Sequence, residues 1–229
     1  MKLILVPGAG GTAEFWQYQT EYFPDAEAIN LPGHPLGELC TSIEDYTDWL
    51  WRYILKQGYS PPVLAGHSMG GAIVQMYALK YPRDVAGLVL IGTGARLRVA
   101  PQVLSVVQDG VENLSVWVEN FLEVQFGRID PVMKEKLVNK SLELGAEVQL
   151  SDMLCCDEFD IMDKVDQIEV PTLILCGSED EMTPPKYSSY LAARIKGSDL
   201  TVIDGGAHFV FVEKPEAVNQ AIEQFVDSL

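Results

Sequence analysis

The sequence is short of positive charge, with 16 Lys and Arg against 33 Asp and Glu and a formal net charge of −17. A chain so acidic repels phosphate backbones and anionic bilayers, so neither nucleic acid nor a membrane surface is an expected partner. Strongly acidic substrates should also approach slowly. Cysteine is sparse and unpatterned. Cys40, Cys155, Cys156 and Cys176 show no CxxC spacing and no companion His cluster, and Cys155 and Cys156 are adjacent, which fits neither a zinc site nor a disulfide framework. They read as free thiols of a reducing compartment, with Cys176 in a core run. No apolar run approaches the roughly 20 residues that span a bilayer. The start, "MKLILVPGAGG", offers only four apolar residues between Lys2 and Pro7, too few for a signal-peptide core, so a cytoplasmic protein is expected. The glycine-rich stretch "VPGAGGTAEFW" has neither the GxGxxG spacing nor the Lys-Ser/Thr pair of a phosphate-binding loop. The Asp- and Glu-rich stretch 152–169 lacks cation-ligand spacing and reads as a solvated face, so no metal is expected.

The 229 residues, 48% hydrophobic, are enough for a sizeable core. The runs "KLILV" at 2, "PVLAG" at 62, "VAGLVLIG" at 85 and "PTLILCG" at 171 lack polar alternation and predict strands buried on both faces. Weaker strands are expected in "AEAIN" at 26 and "LTVID" at 200. Helical patterns lie at 42–57, with a capping-box start at Ser42 and Asp45, and at 69–80, 185–196 and 215–228. Strand followed by helix, repeated, predicts an α/β protein with a parallel sheet covered on both faces. Residues 96–168 break the alternation with helical stretches near 101–109, 112–125, 131–144 and 146–156. The expected division is therefore a core of 1–95 and 169–229 carrying a helical lid of 96–168.

Within "VLAGHSMGGAIVQMYALKYP", Ser68 stands between Gly66 and Gly70, after a strand and before a helix. A turn tight enough to lift a side chain above the sheet strains the serine backbone and crowds the residues two before and two after it. Glycine at both removes the clash, and the helix N-terminus turns free N–H groups toward developing negative charge. A serine hydroxyl becomes a good nucleophile only when a base takes its proton. Histidine, too, is scarce: there are three. His67 should point away from its neighbour Ser68, and His34 lies in the Gly/Pro-rich loop "NLPGHPLGE". His208, in "IDGGAHFVFVEKP" after the last strand, sits at the sheet's carboxyl edge and is the expected base. "LILCGSEDEMTPP" supplies Glu179, Asp180 and Glu181 as candidates to orient it, and spacing does not choose among them. Backbone donors for a tetrahedral oxyanion are expected from Met69 and from the loop "VPGAGGTAEFW", by Ala9 with Gly10 as substitute.

These residues resemble the α/β-hydrolase fold family, and in particular its small lid-bearing, esterase-like members. The resemblance runs over nearly the whole chain, through "VPGAGGTAEFW", "NLPGHPLGE", "GHSMGG", "GSEDEMTP" and "GGAHFVFVEKPEAV". It implies Ser68 as nucleophile, His208 as base, Asp180, four residues before Pro184, as the acid, and Ala9 and Met69 as oxyanion donors. Many relatives carry His at the position of Pro7 and Asp at that of Asn30, and neither is nucleophile or base. The sheet should have about six strands, all parallel.

Aromatic and apolar residues that would shape the substrate cleft are Trp16, Trp117, Phe121, Phe126 and Phe209, with Leu97 and Val99 where the lid begins and Gly10 in the oxyanion loop. Arg96 and Arg98 offer a carboxylate contact. The expected function is a carboxylesterase-like serine hydrolase acting on a small-molecule ester with a small to medium, mainly apolar acyl group. It needs no cofactor and works as a monomer or homodimer. A carbon–carbon bond hydrolase, lyase or synthase on the same triad, and a non-catalytic ligand receptor, are the alternatives.

Overall fold

The computed structural model describes residues 1–229. In chain order the elements are β1 (Leu3–Val6), α1 (Gln17–Tyr22), β2 (Glu27–Ala28), α2 (Ile43–Gln57), β3 (Val63–His67), α3 (Met69–Lys80), β4 (Gly87–Ile91), α4 (Pro101–Glu112), α5 (Leu114–Trp117), α6 (Glu123–Gln125), α7 (Pro131–Leu144), α8 (Ala146–Glu158), β5 (Thr172–Gly177), α9 (Pro185–Arg194), β6 (Asp199–Ile203), α10 (Val210–Glu213) and α11 (Pro215–Asp227). The six strands form one sheet in the order β2-β1-β3-β4-β5-β6, and every neighbouring pair is parallel.

Successive side chains on a strand point to opposite faces, and here both faces are covered. Ile4, Val6, Leu64, Leu88, Leu90 and Ile174 join the core beneath α2, α3 and α9. Their alternates Leu5, Val63, Ala65, Val89, Ile91 and Leu175 join a second core with α10 and α11. Each fully buried Leu or Ile of these strands contributes on the order of 2 kcal/mol through removal from water. α3 is apolar nearly all round because it is enclosed between α2 and the sheet. The Ser42 hydroxyl accepts the Asp45 N–H and donates to its carboxylate, while Gly58 closes α2 in the left-handed region at φ +68°.

The two edge strands are the weakest. Only Glu27 and Ala28 pair in the stretch expected from 26, and four of the five residues of β6 are exposed. A short turn at Ala13–Trp16, α1 and α10 were not expected from the sequence. Between β4 and β5 the chain is helical. α5 and α6 are joined by a wide π-type turn at Val118–Leu122. The two ends of this segment are clasped at one neck: Leu97 N–H donates to Phe159 O, Ile161 N–H to Ala95 O, and Arg96 Nη2 lies 2.6 Å from Asp160 Oδ2. No helix is long and apolar enough to cross a membrane.

Candidate active site

Ser68 caps α3 with φ +51° and ψ −114°, and it is the one non-glycine residue with positive φ. Its carbonyl accepts the Ala72 N–H and the Thr93 hydroxyl, and its own N–H donates to Ile91 O, so the strained residue is gripped from both neighbouring elements. A Cβ on Gly66 would stand 2.2 Å from Gly70 O, and one on Gly70 would stand 2.3 Å from Val6 O. The elbow thus closes on bare backbone.

His208 follows β6 and presents Nδ1 to Asp180, 3.0 Å from Oδ2 and 3.2 Å from Oδ1. An ionised carboxylate only accepts, so Nδ1 is the donor to Asp180 and Nε2 is the ring nitrogen left free of it. Asp180 is buried and also accepts the N–H groups of Met182 and Thr183 and the Thr183 hydroxyl. Burial alone would raise its pKa, but the bonds from His208 and Thr183 outweigh burial and hold the carboxyl below its ordinary value. Of the three acidic residues after β5, only Asp180 faces His208: Glu179 pairs with Arg128 and Glu181 is exposed. His67 is fully enclosed and donates from Nε2 to His208 O. Burial first, then the neighbouring His208, pushes its pKa well below the ordinary imidazole value, so it stays a neutral prop for the His208 backbone.

Ser68 and His208 line one cavity of about 380 Å³, with Ala9, Phe15, Leu97 and Phe209 among its mainly apolar walls. The two side chains are not hydrogen-bonded to each other, but the His208 ring lies 4.7 Å from that of His67, the residue before Ser68. A serine hydroxyl turns about a single bond, and such contacts are commonly long before substrate binds. The N–H of Ala9 has no partner within the protein, and Met69, first in α3, has an N–H beyond the reach of intrahelical bonds. The Gly10 N–H is committed to Asp152 Oδ2 at 2.8 Å, which removes Gly10 as a substitute donor. No group of three or more His, Cys, Asp or Glu is disposed to hold a metal ion. All four cysteines are free. Cys156 shares the cavity wall, but burial raises its thiol well above the ordinary value and keeps it from competing as a nucleophile.

A model of the alpha/beta hydrolase family matches residues 3–221. The chain belongs to the alpha/beta hydrolase family. The (E)-2-((N-methylformamido)methylene)succinate hydrolase of Acinetobacter baylyi is 26% identical to it over 99% of this chain and 90% of its own length. The pimeloyl-[acyl-carrier protein] methyl ester esterase of Neisseria meningitidis serogroup A is also 26% identical, over 100% of this chain and 77% of its own. A solved structure of a thermophilic esterase superposes with a TM-score of 0.84 at 30% identity, covering 99% of this chain and 89% of that one.

In this alpha/beta hydrolase, Leu97 and Phe209 line the cavity, whereas Gly10, Trp16, Trp117 and Phe121 do not. Trp16 packs on Phe211 with ring centroids 4.4 Å apart, and its neighbour Phe15 takes the cavity side, next to Phe126 and Phe209. Consecutive residues of a tight helical turn diverge, which the composition of "AEFW" does not reveal. Trp117 packs over Gly110, where a Cβ would lie 2.5 Å from its own Cβ, and Phe121 is buried among the helices. Thr93, Thr183, Gln149 and Asp152 carried no signal that sequence reasoning could use, because their roles arise from contacts between elements distant in the chain.

The Asp180 environment sets an acid-side dependence of stability. A carboxyl held lower in the folded chain than in the unfolded one, where it titrates near about 4, adds stability that is complete above that value. The contribution disappears as pH falls through the lowered folded value. Thermal melts of wild type and Asp180→Asn should therefore differ at neutral pH and converge below about pH 4. A constant gap down to acid pH would contradict the assigned pair.

Proposed function

We propose that the protein is a serine hydrolase cleaving carboxylic esters with small to medium, mainly apolar acyl groups. The observation that carries this reading is the shared cavity: a strained elbow at Ser68 and a carboxylate-anchored His208, both lining one space with mainly apolar walls. His208 Nε2 takes the Ser68 proton as Oγ attacks the carbonyl carbon. The carbonyl π electrons move onto oxygen, where the Ala9 and Met69 N–H groups receive the charge. The intermediate collapses, the alkoxide leaves with the proton from His208, and a water activated by the same imidazole frees Ser68. Asp180 fixes the tautomer and stabilises the imidazolium. Residues 96–168 act as a lid, contributing Leu97, Gln149 and Met153 to the wall. The esterase relatives support ester chemistry.

The decisive experiment is a purified-protein screen over p-nitrophenyl esters of graded acyl length, thioesters, lactones and diketones. A serine-directed fluorophosphonate is used in parallel. Short and medium esters should be turned over, labelling should fall on Ser68, and turnover should decline toward acid pH because a protonated imidazole cannot accept the serine proton. Efficient diketone cleavage with feeble ester turnover would transfer the site to carbon–carbon bond hydrolysis. Tight ligand binding without turnover of any class would make it a receptor.

A further inference from the structure

Helix α8 places a carboxylate where the catalytic reading has no use for a charge. Asp152 is completely buried, 142 residues from Gly10 in sequence, yet its Oδ2 accepts the Gly10 N–H at 2.8 Å. The same oxygen lies 2.9 Å from His34 Nε2, and Oδ1 accepts the Tyr46 hydroxyl at 2.7 Å. His34 and Tyr46 are themselves buried, and burial next to Asp152 holds the Tyr46 hydroxyl in its protonated, donating form. One side chain thus joins the loop after β1, the loop after β2, α2 and α8. Removing such a carboxylate from water is costly, and surrounding it with donors offsets that cost. An apolar side chain there would leave the Gly10 N–H, the Tyr46 hydroxyl and His34 Nε2 without their shared acceptor, so the carboxylate serves the loops as well as the helix.

What the carboxylate holds is the loop that carries Ala9. The Gly10 N–H is one peptide along from the Ala9 N–H, and Gly10 itself sits in the left-handed region at φ +62°. A Cβ at Gly10 would stand 2.1 Å from Gln149 Oε1, one turn earlier on the same helix. Thus α8 both shapes and restrains the loop, and through Gln149, Met153 and Cys156 it also walls the cavity.

We propose that Asp152 is a positioning residue: by fixing the Ala9–Gly10 peptide from the helical segment, it sets the orientation of the Ala9 N–H toward the transition-state oxyanion. This rests on the serine-hydrolase reading above. Loss of the restraint leaves substrate binding nearly intact and weakens capture of the oxyanion.

The test measures kcat per active site, with sites counted by fluorophosphonate titration, for wild type, D152A and D152N, using a p-nitrophenyl ester. Affinity for a phenylboronic acid, whose tetrahedral adduct on Ser68 presents an anionic oxygen, is measured beside it. In D152A, kcat should fall about a hundredfold, as expected when reacting groups are misplaced by an ångström or so. KM should move less than about threefold and boronate affinity should drop in parallel with kcat. D152N keeps one acceptor oxygen, for which Gly10 and Tyr46 compete, and should recover only part of the loss, standing about tenfold below wild type. If D152A does not fold, D152N carries the test, since its single carbonyl oxygen cannot serve Gly10 and Tyr46 together; about a tenfold drop in both readouts is then expected. Unchanged kcat per titrated site and unchanged boronate affinity in a folded variant would overturn the proposal while leaving the hydrolase reading intact. Wild-type protein that neither labels at Ser68 nor turns over esters would overturn both.

Discussion

Ser68→Ala is expected to reduce ester turnover on the order of 10⁵ to 10⁶-fold, leaving only what binding and oxyanion donors contribute without a nucleophile. The fold should survive, because alanine takes the same backbone position at the same conformational cost. Ser68→Gly separates the two aspects of the residue. The observed φ of +51° is costly for any side chain, by roughly 1–3 kcal/mol, and glycine is free of that cost. Against this, glycine gives up about 0.5–1 kcal/mol in backbone entropy. The net expectation is a gain of about 1 kcal/mol, or a melting temperature higher by about 2–4 °C for a chain of this size, in an inactive protein. Thermal melts and p-nitrophenyl ester assays on the two variants check both halves. Substantial turnover by Ser68→Ala would remove the nucleophile from the mechanism, and a lower melting temperature for Ser68→Gly would mean that the elbow is not strained.

The second large effect concerns folding. Gly66→Ala should destabilise the protein by more than about 4 kcal/mol, because the new Cβ would meet Gly70 O at 2.2 Å and Gly71 N at 2.6 Å. Neither atom belongs to a side chain that can swing aside. Relief requires α3 to move away from β3, which would open the core that α2 and α3 form against the sheet. Since domains are stable by only about 5–15 kcal/mol, most of the variant should be recovered unfolded or aggregated. Gly197→Ala is the control. That glycine also has positive φ, +76°, but a Cβ there meets nothing within 4 Å, so its cost should be limited to about 1–2 kcal/mol of conformational strain. Circular dichroism and urea unfolding of the pair distinguish backbone collision from strain. Equal, small losses would show that the elbow relaxes more easily than its backbone contacts imply.

The central strands were legible because a strand buried on both faces must be apolar throughout, and "LILV", "VLAGH", "GLVLI" and "TLILCG" are nearly so. The elbow was legible for a related reason: its glycines answer a local steric demand, and local demands leave local signatures. Edge strands were less distinct, since β6 leaves four residues to solvent and β2 pairs over only two. Spacing left three acidic neighbours after β5 equivalent, and three-dimensional packing separates them, turning Asp180 inward while Glu179 reaches Arg128. The cavity wall was least legible. Trp16 and Phe15 have similar chemistry, and the direction of a tight turn, absent from the composition, decides which meets the cavity.

The Gly10–Asp152 bond has a practical corollary for protein engineering. Exchanging residues 96–168 for those of a relative would replace the acceptor of a main-chain amide in the loop after β1. A chimera lacking a carboxylate at that register would leave this amide unpaired inside the protein. If Asp152 positions the loop as proposed, selectivity and turnover would be inherited together through this helix, and a recombination point should retain residue 152.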